Sequence, residues 1–403
     1  MRRAARIQRH AGALRHNLSR ARALAPEQRV WAVIKADAYG HGMEWAAAQL
    51  DGLADGFAVS CVEEALVLRG VGVRAPLLVL QGPREASEWE VCARHGLQPV
   101  LHEEAQLPGL ARLRSALPGL WIKLDTGMHR LGFAPLKAQV LFEQVQRHPA
   151  ARNGLHWLTH LACADQPGHP QNRAQLEQFA YAVSELPGQR SVANSAAVLS
   201  GLTTAALRGE WIRPGIMLYG PSPLLGEDGP ERDLRPVMTV TAPLIAVKNL
   251  EPGAHVGYGA TWTATRPTEV GVVAIGYADG YPRHAPSGTP VLVHGQECPL
   301  AGRVSMDMLE VDLTGVPRAR VGDWVTLWGE GLPVERVARS AGTIGYELLT
   351  RVAGRLQIAE PGGAVGVASG KKNPAVRRGL GLRTGFGQIL EVGTKPRLSS
   401  PMP

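Results

Sequence analysis

Up to about Leu234, short apolar runs alternate with longer Ala- and Leu-rich stretches. The runs are Val30–Ile34, Gly56–Val59, Pro76–Leu80, Leu97–Leu101, Leu120–Leu124, Leu155–His160 and Trp211–Arg213. Segments such as MEWAAAQL (43–50) and EEALVLRG (63–70) lie between them and read as helices. Strand–helix alternation at a spacing of roughly 20–35 residues predicts parallel β/α units. Ser191–Ala193 supplies an eighth short strand, and that count favours a closed (β/α)8 barrel over an open sheet. Arg6–His10 reads as a further strand outside the barrel proper.

From about Arg235 the texture changes. VMTVTAPLIAVKNL, EVGVVAIGYADG, PVLVHGQECPLAG, MLEVDL and DWVTLWG are β-branched runs divided by Gly and Pro. They predict a mostly antiparallel β domain to about Gly329. Helices are expected over Val334–Ala341 and Ile344–Val352, and GPSPLLGEDGPERDLRP (220–236) reads as a linker. The expected division is a barrel over 1–234, a β domain over 235–360 and a basic, disordered tail over 361–403.

Composition refines this picture in two places. The 403 residues are 45% hydrophobic and 19% charged, an ordinary globular balance that suits two domains or one barrel with an extension. The net charge of +8 invites a nucleic-acid reading, but seven basic residues against one acidic lie beyond Pro361. The tail thus carries six of the eight charges and the body is nearly neutral. Charge this diffuse, without interleaved aromatics, argues against a nucleic-acid partner. No stretch is long and apolar enough to span a bilayer, and the N-terminus lacks the apolar core of a secretory signal. Cys61, Cys92, Cys163 and Cys298 are scattered, so neither a metal site nor a disulfide framework is expected, and a reduced, cytoplasmic protein is.

The candidate chemistry begins at AVIKADAYGHG (32–42). Lys35 follows an apolar strand directly, and barrel enzymes place their chemistry at the C-terminal ends of the strands. A lysine in partly apolar surroundings loses basicity and becomes a nucleophile or Schiff-base amine. Gly40 and Gly42 permit a close turn into the next helix. A solvated lysine beside a turn fits the same eleven residues.

The rest of the chain separates those readings. AVIKADAYGHG resembles the cofactor-binding signature of the alanine racemase family, fold-type III enzymes that carry pyridoxal 5'-phosphate on a lysine. The resemblance continues through KLDTGMHRLGF (123–133), LTHLACAD (158–165), ANSAA (193–197), IRPGIMLYG (212–220), VGYGATW (256–262), GYADGYPR (276–283), GRVSMDM (302–308) and GTIGYE (342–347). These occur in the family's order and cover most of the chain.

The resemblance implies an isomerase that interconverts L- and D-alanine, supplying D-alanine for peptidoglycan of the cell wall or catabolising alanine. A broad-spectrum racemase of the same fold, acting on serine, lysine or arginine, is the alternative. Lys35 is then the covalent cofactor lysine and one of two acid/base groups. Tyr258, reaching in from the other subunit of a head-to-tail homodimer, is the second. Tyr39, Ser195, Gly215, Ile216 and Tyr346 fall where the family holds the phosphate. Arg213 faces the pyridine nitrogen; it can only donate a hydrogen bond, which keeps that nitrogen unprotonated and the ring a weaker electron sink. His160 packs by the ring and links Arg213 to the second base. Arg130 meets the substrate carboxylate, and Lys123, carbamylated in many members, holds Arg130. Met306, also from the partner, helps bind the carboxylate through its backbone, and Tyr277 narrows the approach. No metal is implied. Three features depart from the family pattern. RIQRHAGALRHNL lacks an acidic residue after the first isoleucine, Leu161 replaces a common aromatic beside His160, and the chain continues past the expected end near Leu356.

Overall fold

The computed structural model describes residues 4–202, 210–316, 318–352 and 354–359. The reading of 361–403 as a disordered tail lies outside them. Eight parallel strands close into a barrel: Arg29–Val33, Gly56–Val59, Leu77–Val79, Leu97–Leu101, Leu120–Lys123, Leu155–Leu158, Arg190–Asn194 and Trp211–Arg213. Closure is made by Arg29 pairing with Trp211 and Val30 with Ile212. Each strand is one of the apolar runs of the sequence, with its limits shifted by a residue or two.

Side chains alternate between the two faces of a strand. Trp31, Val33 and Lys35 therefore point the same way, as do Trp121 and Lys123, His156, Leu158 and His160, and Trp211 and Arg213. At the N-terminal end this face is filled by indoles. Trp31 stacks on Trp211 with centroids 4.1 Å apart and meets Trp121 edge-on at 6.2 Å. Trp121 packs against His156 at 4.9 Å. Room for Trp31 comes from Gly56, where a Cβ would collide with the indole ring. Gln98 Oε1 accepts the Trp121 Nε1–H at 2.8 Å, and Gln189 Oε1 accepts that of Trp211 at 2.7 Å. Ring N–H groups in a dry layer need such partners.

The second sheet is mostly antiparallel. Its spine is the long strand Met238–Leu250, which bends through two register shifts and so serves two wings. Thr268–Val273 and Leu309–Asp312 form one wing; Trp324–Trp328, Pro290–Val293 and Gln296–Pro299 build the other. Arg6–Arg9 lies outside the barrel, as expected, and pairs antiparallel with the same spine. A strand missed in the sequence, Gln357–Ala359, pairs parallel with Arg6–Arg9. The helices run Val334–Ser340 and Gly345–Arg351.

The segment expected as a linker is anchored at its start. Gly220, Pro221 and Ser222 are buried, and Glu335 Oε1 accepts the amides of Ser222 at 2.9 Å and Gly229 at 2.8 Å. One carboxylate thus ties the exit from the barrel to the helix Val334–Ser340. Gly and Pro marked an irregular path here, not a free one.

Candidate active site

At the C-terminal ends of the barrel strands lies a cavity of about 750 Å³. Lys35, Tyr39, Lys123, Arg130, His160, Ser195, Arg213, Gly215, Ile216 and Tyr346 all line it. Residues that are up to 311 positions apart in the chain are brought to one hollow by the barrel and by the helix Gly345–Arg351.

The segment after Lys35 does not run straight into a right-handed helix. Ala36, Asp37, Ala38 and Tyr39 all have φ between 51° and 53°, so they form one left-handed turn. None of the four is glycine, and each such residue costs about 1–2 kcal/mol. The turn is held by its surroundings. Ala36 N–H donates to Glu64 Oε1 at 2.8 Å, while Glu64 Oε2 accepts the Ser60 amide at 2.6 Å. Asp37 Oδ1 accepts the Met43 amide at 2.7 Å. Gly40 has no side chain to clash with the Leu349 carbonyl pressed against it, and that approach seats the helix bearing Tyr346. The Tyr39 and Tyr346 rings lie 6.1 Å apart.

Tyr39, Ser195 and Gly215 make one anion-sized corner. A Cβ at Gly215 would collide with the Tyr39 hydroxyl. Ser195 Oγ accepts the Gly215 amide at 2.8 Å and the Met217 amide at 3.4 Å, which leaves its own proton to donate. The Gly215 N–H, expected to face a ligand, is here directed to Ser195. Asn194 caps the helix that follows, with Oδ1 accepting the Ala197 amide at 3.0 Å, so Ser195 itself is free of that task.

Five cationic or basic side chains share the hollow: Lys35, Lys123, Arg130, His160 and Arg213. Burial pulls the Lys35 amine below its usual range, Arg130 and Arg213 act in the same sense, and Glu64 opposes them. Lys123, 8% exposed, is lowered to about 8 by burial first and then by Arg213 and Arg130. Burial also lowers Arg213, to about 10, so it stays protonated at neutral pH. Its hydrogen bonds go to Ser191 Oγ at 2.6 Å, Thr159 O at 2.5 Å and Val192 O at 3.2 Å. All three acceptors are uncharged. His160 is held neutral by burial and by the nearby Arg213; the two interact through charge and not through the hydrogen bond expected between them.

Three supporting residues escaped the sequence reading. Asp125 Oδ1 collects the amides of Gly127, Met128 and His129 at 2.9–3.1 Å, shaping the loop that presents Arg130. An Asp before Thr-Gly is a known turn signal and was legible. Glu64 and Gln175 lie on helices and gave no signal. Gln175 is fully buried; its Oε1 accepts the Ala162 amide at 2.8 Å and its Nε2 donates to His160 O at 3.1 Å.

Tyr258 and Met306 are 68% and 55% exposed, and neither lines the cavity of its own protomer. Tyr258 stands on the turn between His255–Val256 and Trp262–Thr263, flanked by Gly257 and Gly259 at φ 72° and 74°. The Met306 loop is tied to Tyr277: Tyr277 N–H donates to Ser305 O at 3.1 Å and Ala278 N–H to Met306 O at 3.0 Å. Leu161, the departure beside His160, is buried in the core. Among the described residues, no helix is long and apolar enough to cross a membrane.

Comparison with known proteins agrees with this architecture. The alanine racemase N-terminal domain family matches residues 10–223, and the alanine racemase C-terminal domain family matches 237–359. An alanine racemase of Thioalkalivibrio sulfidiphilus is 56% identical over 362 residues, which cover 89% of this chain and 99% of the relative. The crystal structure of the biosynthetic alanine racemase from Pseudomonas aeruginosa superposes with a TM-score of 0.85 at 47% identity, covering 89% of this chain and 99% of that one. An alanine racemase from Bartonella henselae, solved with covalently bound pyridoxal phosphate, matches with a TM-score of 0.79 at 29% identity, covering 88% and 99%. The chain belongs to the alanine racemase family and is an isomerase.

Proposed function

We propose that this chain interconverts L- and D-alanine with pyridoxal phosphate held on Lys35, by a two-base route completed in a homodimer. The observation that carries the reading is the Lys35 amine, half-buried at a strand end in the cavity that Arg130 and Arg213 also line, and lowered in basicity by its surroundings. Lowered basicity favours the amine as a Schiff-base nucleophile.

The corner formed by Tyr39, Ser195, Gly215 and Tyr346 fits a phosphate. It offers hydroxyl donors around a glycine whose missing side chain lets the Tyr39 hydroxyl approach. Arg213, with uncharged acceptors only, fits an unprotonated ring nitrogen, to which it would donate. Lys35 and the phosphate corner line one cavity, as the two ends of such a group demand. Bound there, the cofactor would supply an electron-withdrawing ring that acidifies the α-proton of the substrate.

The remaining steps belong to side chains of the protein. Lys35 takes or returns the α-proton on one face. Tyr258 of the partner subunit serves the other face, which accounts for an exposed tyrosine on a strained, glycine-flanked turn. Arg130 binds the substrate carboxylate, and Met306 of the partner subunit assists. Lys123 is half-way to being a neutral amine near pH 8, so it is able to react with carbon dioxide. The resulting carbamate would be an anion amid Arg130 and Arg213, balancing a site otherwise crowded with cations. The same assignment divides the chain near Leu234 into barrel and β domain, with the enzyme either supplying D-alanine for the cell wall or catabolising alanine.

Racemisation should be assayed on purified protein with alanine, serine, lysine and arginine. Alanine preference with loss of both activity and the Schiff-base absorption in Lys35→Ala is expected. Racemisation retained by that variant would refute the assignment. Preference for serine or a basic amino acid would favour the broad-spectrum alternative.

A further inference from the structure

His41 has no part in the chemistry above, yet it is 1% exposed. Its ring lies on Tyr219 with centroids 4.7 Å apart and 29° between planes. Tyr219 in turn lies on Tyr39 at 4.8 Å and 28°, and donates its hydroxyl to Val33 O at 2.9 Å. His41, Tyr219 and Tyr39 thus form a continuous stack that ends at the phosphate corner.

His41 Nδ1 is 3.0 Å from the carbonyl oxygens of both Ala38 and Tyr39. Carbonyl oxygens only accept, so Nδ1 carries the proton and Nε2 presents a lone pair. Nε2 is buried with no donor opposite it. A buried acceptor without a partner is destabilising, and an apolar ring of similar shape would avoid that penalty. What the imidazole gives in return is local. It adds a donor to the Ala38 carbonyl, which also accepts the His41 N–H at 3.1 Å, and supplies one to the Tyr39 carbonyl, while Arg9 Nη1 fixes the carbonyl of His41 itself at 3.0 Å.

We propose that His41 is a positioning residue for the phosphate end of the cofactor: clamped under Tyr219, it locks the left-handed turn so that the Tyr39 hydroxyl stays against Gly215 beside Ser195. Burial keeps the imidazole neutral, with its pKa lowered to about 4, so the donor at Nδ1 does not change across the working pH range. The proposal deepens the cofactor assignment above and rests on it.

The test compares the affinity of apoenzyme for pyridoxal 5'-phosphate and for pyridoxal, which lacks the phosphate. His41→Phe keeps the stack and loses the donor; His41→Asn keeps a donor and loses the ring; His41→Ala loses both. Phosphate-ester affinity should fall about tenfold in the first two variants and about a hundredfold in the third, while pyridoxal affinity changes less than about threefold. Equal losses for both ligands, or unchanged phosphate-ester affinity in folded His41→Phe and His41→Asn, would overturn the proposal. If His41→Ala fails to fold, the other two variants carry the same comparison. A wild-type protein that binds neither ligand would overturn the cofactor assignment itself, and the role of His41 with it.

Discussion

The two ends of the barrel are built from the same strands and obey opposite rules. At the floor, Trp31, Trp121 and Trp211 fill the interior with stacked rings, and their polar N–H groups are matched by Gln98 and Gln189 where partners are seen. Two residues further along those strands stand Val33, Lys123 and Arg213, and four further along the first stands Lys35. There the same interior face carries amines and a guanidinium with no carboxylate among the Arg213 acceptors. The floor maximises burial of apolar area; the mouth accumulates like charges at a cost in stability. Alternation at period two makes the pairing possible, because one inward face can be apolar at one end and reactive at the other. The lesson is that the stability for a strained, cationic mouth is supplied a few residues below it.

That contrast can be broken from either end, and the largest effect is expected at the mouth. Lys35→Ala should lower kcat/KM for alanine by at least about 10³-fold while the unfolding midpoint of the apo protein stays the same or rises, since a half-buried amine crowded by Arg130 and Arg213 is removed. A comparable loss of stability would mean that the mouth also holds the fold. Next comes Trp31→Ala at the floor, which should cost about 3–5 kcal/mol in chemical denaturation. Its kcat per folded, cofactor-saturated molecule should change less than about threefold; a large drop would show that the floor tunes the chemistry. Gly56→Ala tests the same layer by overpacking. The new methyl meets the Trp31 indole and the Pro76 carbonyl, and a loss of about 1–3 kcal/mol is expected.

The smallest effect is in pH. His41 and His156 both have folded values near 4, lowered by burial from the ordinary 6.5. Between those values the unfolded chain binds more protons, so stability is intact above about 6.5 and falls as the solution is acidified towards 4. His41→Phe and His156→Phe should each flatten that slope by a similar amount, because the two shifts are alike. On the alkaline side, unmodified Lys123 has a folded value near 8 against an ordinary 10.5. Stability of bicarbonate-free protein should therefore rise between about pH 8 and 10.5, and a Lys123→Met variant should lack that rise.

Much of this was legible in the order of residues. Each barrel strand is a short apolar run between turn signals, and the eight runs closed as their number suggested. The barrel residues singled out as candidates line one cavity. What escaped has a physical reason in each case. Gln357–Ala359 is three residues whose strand character comes only from pairing with Arg6–Arg9. The segment 220–236 looks like a linker because its irregular backbone is satisfied by Glu335, more than a hundred residues away. The indole floor is invisible because Trp31, Trp121 and Trp211 meet only after closure. Tyr258 and Met306, which the resemblance assigned to a second subunit's site, stand outside the cavity formed by this chain.

The left-handed turn from Ala36 to Tyr39 has one more consequence. Intrinsic propensity opposes it: Ala, Asp, Ala and Tyr prefer to wind the other way, and four such residues together cost about 4–8 kcal/mol. It exists only while the adjacent His41, Glu64 and the helix Gly345–Arg351 surround it, and the last two arrive from distant parts of the chain. The lysine at its head loses basicity through the same enclosure. A nascent or damaged copy of this enzyme therefore carries an amine of ordinary basicity, less reactive toward the aldehydes around it. Reactivity is conferred by the finished fold alone, so the molecule certifies its own assembly before it is armed.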